Sequence, residues 1–199
     1  MKDPCAKGRP RDPLVDAAIL EATLEVLAQR GFARFTVEEA ASVAGVGKAS
    51  IYRRFPDKDA LITYALEHIN DDLPPVPDEG DTRDRLVEMM NRVRRNIHTS
   101  HAGRIMRHVV GESGDAPHLV EDFYRRVIAP RGERLRSVVT AGVARGELPA
   151  DFDVEVAIPA LMGSTFFLST WAGCEGIDET STEAMVDVVL SGLSRASGS

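Results

Sequence analysis

The first sixty residues are cut into short helices by their own start and stop signals. Asp12-Pro13 opens one, pairing a side-chain acceptor for free N–H groups with a proline whose missing N–H costs nothing in a first turn. Ile19, Leu20, Ala22, Leu24, Val26 and Leu27 recur behind it at helical spacing, and Arg30-Gly31 supplies a last-turn charge and a stop. Thr36, with Glu39 three residues on, forms a capping box and predicts a second helix over "VEEAASVA". Gly45 ends that helix, because glycine takes the left-handed conformation a tight inter-helix turn requires. A third helix over 47–54 has Ile51 and Phe55 as inward anchors and stops at Pro56; Asp57 then caps a fourth, to about Asn70.

The stretch "DDLPPVPDEGD", residues 71–81, is acidic and proline-rich and breaks the chain after the fourth helix. Beyond it no segment keeps up strand alternation, so the fold class is all-α. Helices are expected over "TRDRLVEMMNRVRRNIH", over "GRIMRHVV", over 117–148 with a kink at Pro130, and over about 153–172 and 181–195. Residues 156–174 are free of charge and just reach spanning length, yet Pro159, Gly163, Gly173 and four hydroxyl side chains interrupt them. They read as a buried core or interface helix, not a membrane span. Met185, Val188, Val189, Gly192 and Leu193 form an apolar stripe that needs a partner. With Leu161 and Thr165 of the preceding helix, the stripe residues Met185, Val188, Val189 and Gly192 make a candidate homodimer surface.

Across 199 residues the net charge is -7, but its distribution is uneven. Residues 1–60 hold ten Lys/Arg against nine Asp/Glu, so the acid lies in the remainder. Lys2, Lys7, Arg9 and Arg11 form a basic arm over residues 1–11, and Lys48, Arg53, Arg54 and Lys58 a second cluster. Screening over about 10 Å lets such a local footprint act on an acidic protein. Cys5 and Cys174 are too far apart in sequence to suggest a disulfide framework or metal spacing, and the N-terminus lacks the apolar run of a signal peptide, so a cytoplasmic location is expected.

The glycine-lysine-serine cluster at 45–50 invites a nucleotide-loop reading, which its spacing refuses. A phosphate loop has glycine where Ser42 stands and a hydroxyl residue where Ala49 follows Lys48, and it follows a strand rather than a capped helix. His98, His101 and His108 would share one side of a continuous helix, but Gly103 is expected to break it and no carboxylate pair completes a metal set. No catalytic constellation assembles, so neither an enzyme, a cofactor nor a metal is expected.

Two short helices, a glycine turn and a second helix with basic residues in its N-terminal half match the geometry that puts a recognition helix into a major groove. Lys48 and Arg53 taken singly read equally well as solvated surface charges. The segment "FTVEEAASVAGVGKASIYRRFPDKDAL" strongly resembles the DNA-binding segment of the tetracycline-repressor (TetR) family. The likeness lies in a capping threonine, an Ala-Ala-x-x-Ala-Gly-Val run, a Lys-x-x-x-Tyr core and Phe-x-x-Lys-x-x-Leu. It covers about residues 14–62, and "GVARGELPADFDVEVA" looks like the family's join between its seventh and eighth helices. Gly47 departs from the pattern, standing where a serine usually caps the recognition helix.

The resemblance implies that Tyr52 and Thr36 bind phosphates through their hydroxyls and that Lys58 meets the DNA backbone beside a helix N-terminus. It sets Lys48, Ala49, Ser50 and Arg53 against base edges. The basic arm adds phosphate or minor-groove contacts, or is a solvated tail. The implied organisation is a helix-turn-helix DNA-binding domain over 12–56 and a helical ligand-binding and dimerisation domain over 57–199 that includes the connecting fourth helix. Met89, Met90, Met106, Phe123, Phe166 and Trp171 are the candidates for a pocket taking an unidentified small-molecule inducer. The function expected is a ligand-responsive regulator, by family habit a repressor, releasing palindromic operator DNA as a homodimer. The alternative is a helical ligand-binding or protein-interaction module that has lost specific DNA binding.

Overall fold

The computed structural model describes residues 12–112, 117–171 and 178–194; the basic arm, Cys5 and Cys174 lie outside them. All regular structure among these residues is helical. The N-terminal helices are α1 (Pro13–Arg34), α2 (Val37–Val43), α3 (Lys48–Tyr52) and α4 (Lys58–His68). They are followed by α5 (Thr82–Asn96), α6 (His101–Glu112), α7 (Pro117–Phe123), α8 (Ala129–Ala144), α9 (Val154–Trp171) and α10 (Glu179–Ser194). A π-helical segment, Tyr124–Ile128, joins α7 to α8.

Three cap side chains act as their chemistry predicts, although the Glu39 half of the capping box is not seen among the described residues. Asp12 accepts from the Leu14 N–H at 3.1 Å, Thr36 from Glu39 at 3.2 Å, and Asp57 from Ala60 at 2.8 Å. The Glu39 carboxylate accepts from Arg30 at 2.9 Å, tying α2 to the end of α1. Gly31, at φ 75°, kinks α1 where the stop was expected, and the chain makes one more turn to Arg34. Gly45, at φ 66°, makes the turn into α3, which is shorter at both ends than the expected 47–54.

Two apolar cores organise the chain. The first surrounds Ile19, Leu27, Phe32, Ile51, Leu61 and Leu66 and is completed by Ile105 of α6, Phe123 of α7 and Val127. The second joins Leu86 and Met90 of α5, Val138 of α8, Leu161 of α9 and Val186 of α10. Polar ties lock the second body. Arg83 of α5 grips Asp187 of α10 through two bonds of 2.6 and 2.9 Å, and Glu147 accepts from the N–H and hydroxyl of Thr82 at 2.7 and 2.6 Å.

The kink expected at Pro130 takes a specific form. Pro130 has no N–H for the Arg126 carbonyl and its ring crowds that turn, so the helix widens to π geometry just before it. The Asn70 amide nitrogen donates to the carbonyls of Arg126 and Val127 at 3.0 and 3.2 Å, satisfying groups that the altered ladder leaves available.

Three expectations are corrected. Gly103 does not break a helix: the break falls at 97–100, and Gly103 sits inside α6 against the backbone of Ile97. A Cβ there would lie 1.9 Å from the Ile97 carbonyl oxygen, so glycine is required for this close approach. Leu161 and Thr165 do not face a partner; they are 1% and 2% exposed, inside the chain's own core. The inward side of α10 runs through Thr182, Val186 and Val189, while Val188 stands 69% exposed; Val189 thus packs on its own core.

We expect Gly103→Ala to cost about 1–3 kcal/mol, the usual range for overpacking a tight site. Urea unfolding followed by far-UV circular dichroism checks this; an unchanged midpoint would contradict the close approach.

Candidate nucleic-acid interface and ligand cavity

Helix α3 stands beside the Gly45 turn with its N-terminal end free of a side-chain cap, because Gly47 occupies the cap position and offers only backbone. Its outer side carries Lys48, Ala49 and Arg53, all exposed, and Tyr52, which is 44% exposed. Ile51, 1% exposed, plugs the opposite side into the first core. Lys48 pairs with Glu38 of α2 across the turn and lies over the Tyr52 ring at 5.5 Å, which gathers a cation and a phenol hydroxyl on one surface.

Not every expected contact residue is equally available. The Ser50 hydroxyl accepts from Arg54 at 2.9 Å, and Arg54 also donates to Asp16 of α1 at 2.5 Å. Arg54 is therefore a strut between α3 and α1, a role that helical spacing alone did not reveal. Lys58 at the start of α4 donates to the Phe32 carbonyl at 2.9 Å, beside the Phe35 ring, and is half-buried. Thr36 is exposed, with its hydroxyl already accepting from Glu39.

Behind this surface a cavity of about 660 Å³ opens between the two cores, within the range of small-molecule sites. Of the candidate pocket residues, Met89, Met90, Met106 and Phe166 border this cavity. Phe123 does not: it packs edge-on against Phe32 at 6.3 Å in the first core. The Trp171 side chain lies outside the described residues. Sequence reasoning missed the share taken by α1, through Ala17, Leu20, Glu21 and Leu24, and by Arg131 on α8. The alternation of helix faces offered no signal for either, since Leu20 and Leu24 look like ordinary core and Arg131 is one arginine among many.

At the cavity's edge α1 and α6 are clamped by charge. Arg104 makes two bonds to Glu25 at 2.8 and 3.1 Å, and His101 approaches the same carboxylate at 3.2 Å. The Arg104 hydrogen bonds lead in holding the Glu25 carboxyl down to about 2, well below its ordinary 4.5, against the opposing effect of burial. The other two histidines of the imagined metal face have separate partners: His98 meets Arg107 at 3.2 Å and His108 the Ala28 carbonyl at 3.3 Å.

A reading helix anchored on one core, and a body that encloses an apolar cavity beside it, define a helix-turn-helix transcriptional regulator. The family comparison narrows this. Residues 19–65 match the family described as bacterial regulatory proteins, tetR family, and residues 76–189 match the tetracyclin repressor-like C-terminal domain. The chain belongs to the TetR family of DNA-binding regulators. It is 30% identical over 184 residues to the HTH-type transcriptional regulator YdeS of Bacillus subtilis, covering 92% of this chain and 90% of that protein. It is 28% identical to the HTH-type transcriptional repressor KstR2 of Rhodococcus jostii, covering 96% and 94%. The solved TetR family regulator SCO0332 superposes with a TM-score of 0.68 at 26% identity, covering 89% of this chain and 97% of that one. The transcriptional regulator FadR of Bacillus subtilis, solved in complex with stearoyl-CoA, shares the fold at 16% identity with a TM-score of 0.67, covering 89% and 98%. A module that has lost DNA binding is not favoured by these matches, and the family is not normally enzymatic. Among the described residues, no helix is long and apolar enough to cross a membrane.

Arg104→Met should remove about 1.5–3 kcal/mol of stability at neutral pH, the range for hydrogen bonds to a charged group. Because the Glu25 carboxyl is depressed in the fold, its contribution is complete above about pH 4.5 and lost as pH falls through about 2. The difference between wild type and Arg104→Met in urea midpoints should therefore shrink over that window. A constant difference would remove Glu25 from the account.

Proposed function

We propose that the chain is a homodimeric repressor that releases a palindromic operator when a small molecule fills the cavity between its two cores. The observation that carries this is the cavity wall itself. Helix α1 contributes Ala17, Leu20, Glu21 and Leu24 to the wall, and its Asp16 holds Arg54 immediately after the recognition helix. A molecule seated there touches α1 of the reading unit and, through Met89, Met90 and Met106, the helices of the body. If it favours a different setting of α1 against α6, Arg54 carries α3 with it and the two recognition helices of a dimer lose the spacing of successive major grooves. A ligand equally compatible with both settings would shift nothing. KstR2 is named a repressor and FadR was solved with stearoyl-CoA, which supports both repression and a ligand of this kind.

In this reading residues 12–56 read DNA and residues 57–199 bind ligand and dimerise, while the first core couples them. Lys48, Ala49 and Arg53 meet base edges and Tyr52 and Thr36 meet phosphates. The unpaired α3 N-terminus offers backbone N–H groups in place of a serine hydroxyl. Lys58 acts by holding the Phe32 carbonyl, which positions the α4 N-terminus for the backbone. The dimer forms through Val156 and Phe167 of α9, 48% and 60% exposed, and Val188 of α10. Met185 and Gly192 flank this surface, and burying it removes apolar area that a monomer leaves in water.

DNA flanking the gene should be retained specifically in a gel shift, with affinity falling steeply as salt rises. Arg53→Ala should cost about 1–3 kcal/mol and relax the base preference at one position. Tyr52→Phe should weaken all sequences alike. Sequence-independent retention by the unliganded dimer would overturn the operator reading. Val188→Glu should give monomers in sedimentation velocity with the fold intact, since Val188 takes little part in the core; an unchanged mass would put the interface elsewhere.

A further inference from the structure

The apolar cavity has one feature that hydrocarbon alone does not account for. Arg131 lies in its wall, largely withdrawn from water, and no carboxylate among the described residues pairs with it. Its Nε donates to the Asn70 side-chain oxygen at 2.8 Å, while the amide nitrogen of that same Asn70 is occupied by the carbonyls of Arg126 and Val127. The π-helical segment before Pro130 thus fixes Asn70, and Asn70 fixes the guanidinium plane. This neutral partner orients Arg131 without neutralising it. Burial, with Arg134 nearby, pulls the Arg131 group down to about 10, which leaves it charged at neutral pH.

The other charges facing the cavity do not answer it. Arg134 and Arg92 line the same wall and donate to the carbonyls of Pro74 and Pro75, with Arg92 also paired to Glu88 at 2.7 Å. Glu21 and Asp72 belong to the exposed margin, the Glu21 side chain being 72% exposed. Glu25 is committed to Arg104 and His101, and His68 meets the Tyr64 carbonyl at 2.8 Å. A partly buried, oriented cation with no carboxylate partner among the described residues is costly unless an anion completes it, and a guanidinium matches a carboxylate through paired N–H donors.

We propose that the effector is an amphipathic monocarboxylate, its hydrocarbon body lying among Leu20, Met89, Met106 and Phe166 and its carboxylate on Arg131. This rests on the reading of the cavity as the effector site. Three probes of equal chain length separate the two claims: decanoate, 1-decanol and decyltrimethylammonium, titrated into the full-length protein by calorimetry and into its operator complex by fluorescence anisotropy.

Decanoate is expected to bind about tenfold or more tighter than the alcohol, the equivalent of one charge-assisted contact, and to release operator, while the ammonium does neither. In Arg131→Met the acid should fall to the affinity of the alcohol, and the alcohol should bind as before. Arg131→Lys keeps the charge and should keep part of the preference, which guards against a folding defect in the first variant. Equal binding of acid and alcohol to wild type, preference for the ammonium, or a preference for acid that survives Arg131→Met would overturn the carboxylate assignment while leaving the cavity an effector site. Binding of none of the three, with operator affinity unchanged, would overturn both.

Discussion

The buried face of α1 belongs to two assemblies at once. Ile19, Val26 and Leu27 hold the recognition helix through Ile51 and the α4 residues Leu61 and Leu66, and the same core takes in Ala102, Ile105 and Val109 of α6. Neither unit closes its apolar surface without the other. A helix-turn-helix of this size has too little interior of its own to bury, so borrowing a wall from the body supplies area that a short module lacks. The consequence is mechanical. A change in how α1 rests on α6 reaches the DNA-reading surface through packed side chains and through the Asp16–Arg54 pair.

That shared core also explains why the cavity lies where it does. Apolar side chains fill the space at the α1–α6 contact, and beside it methionines and Phe166 from three helices, α5, α6 and α9, border the gap. Thioether side chains adapt to a range of shapes, which suits a wall that meets a ligand. The charged clamp of Glu25, Arg104 and His101 sits at the edge, where partial exposure limits the cost of desolvating it.

Much of the architecture was legible in local chemistry. Asp12, Thr36 and Asp57 mark helix starts because their side chains satisfy backbone N–H groups within three residues, and Gly45 marks the turn because φ at that point is positive. The outer side of α3 followed from the same logic, since Ile51 faces inward and leaves Lys48, Ala49 and Arg53 outside. Errors arose wherever the answer depended on how one element packs against another. Gly103 looked like a breaker and is an approach point for Ile97; Phe123 looked like a pocket residue and packs on Phe32. Leu161 and Val189 looked like interface and are core, because an apolar stripe does not state which of two partners it meets.

The sequence by itself determined that the chain is all-α, where most helices begin, and which short helix presents basic residues beside a glycine turn. These properties depend on hydrogen bonds and periodicities spanning a few residues. Only the tertiary structure decided that Lys58 serves a carbonyl of Phe32, that Asn70 braces the π-helical segment, and that Arg131 stands in the cavity wall with no carboxylate partner among the described residues. Each joins segments tens of residues apart, and burial, which sets the strength of a charge, exists only once those segments have packed.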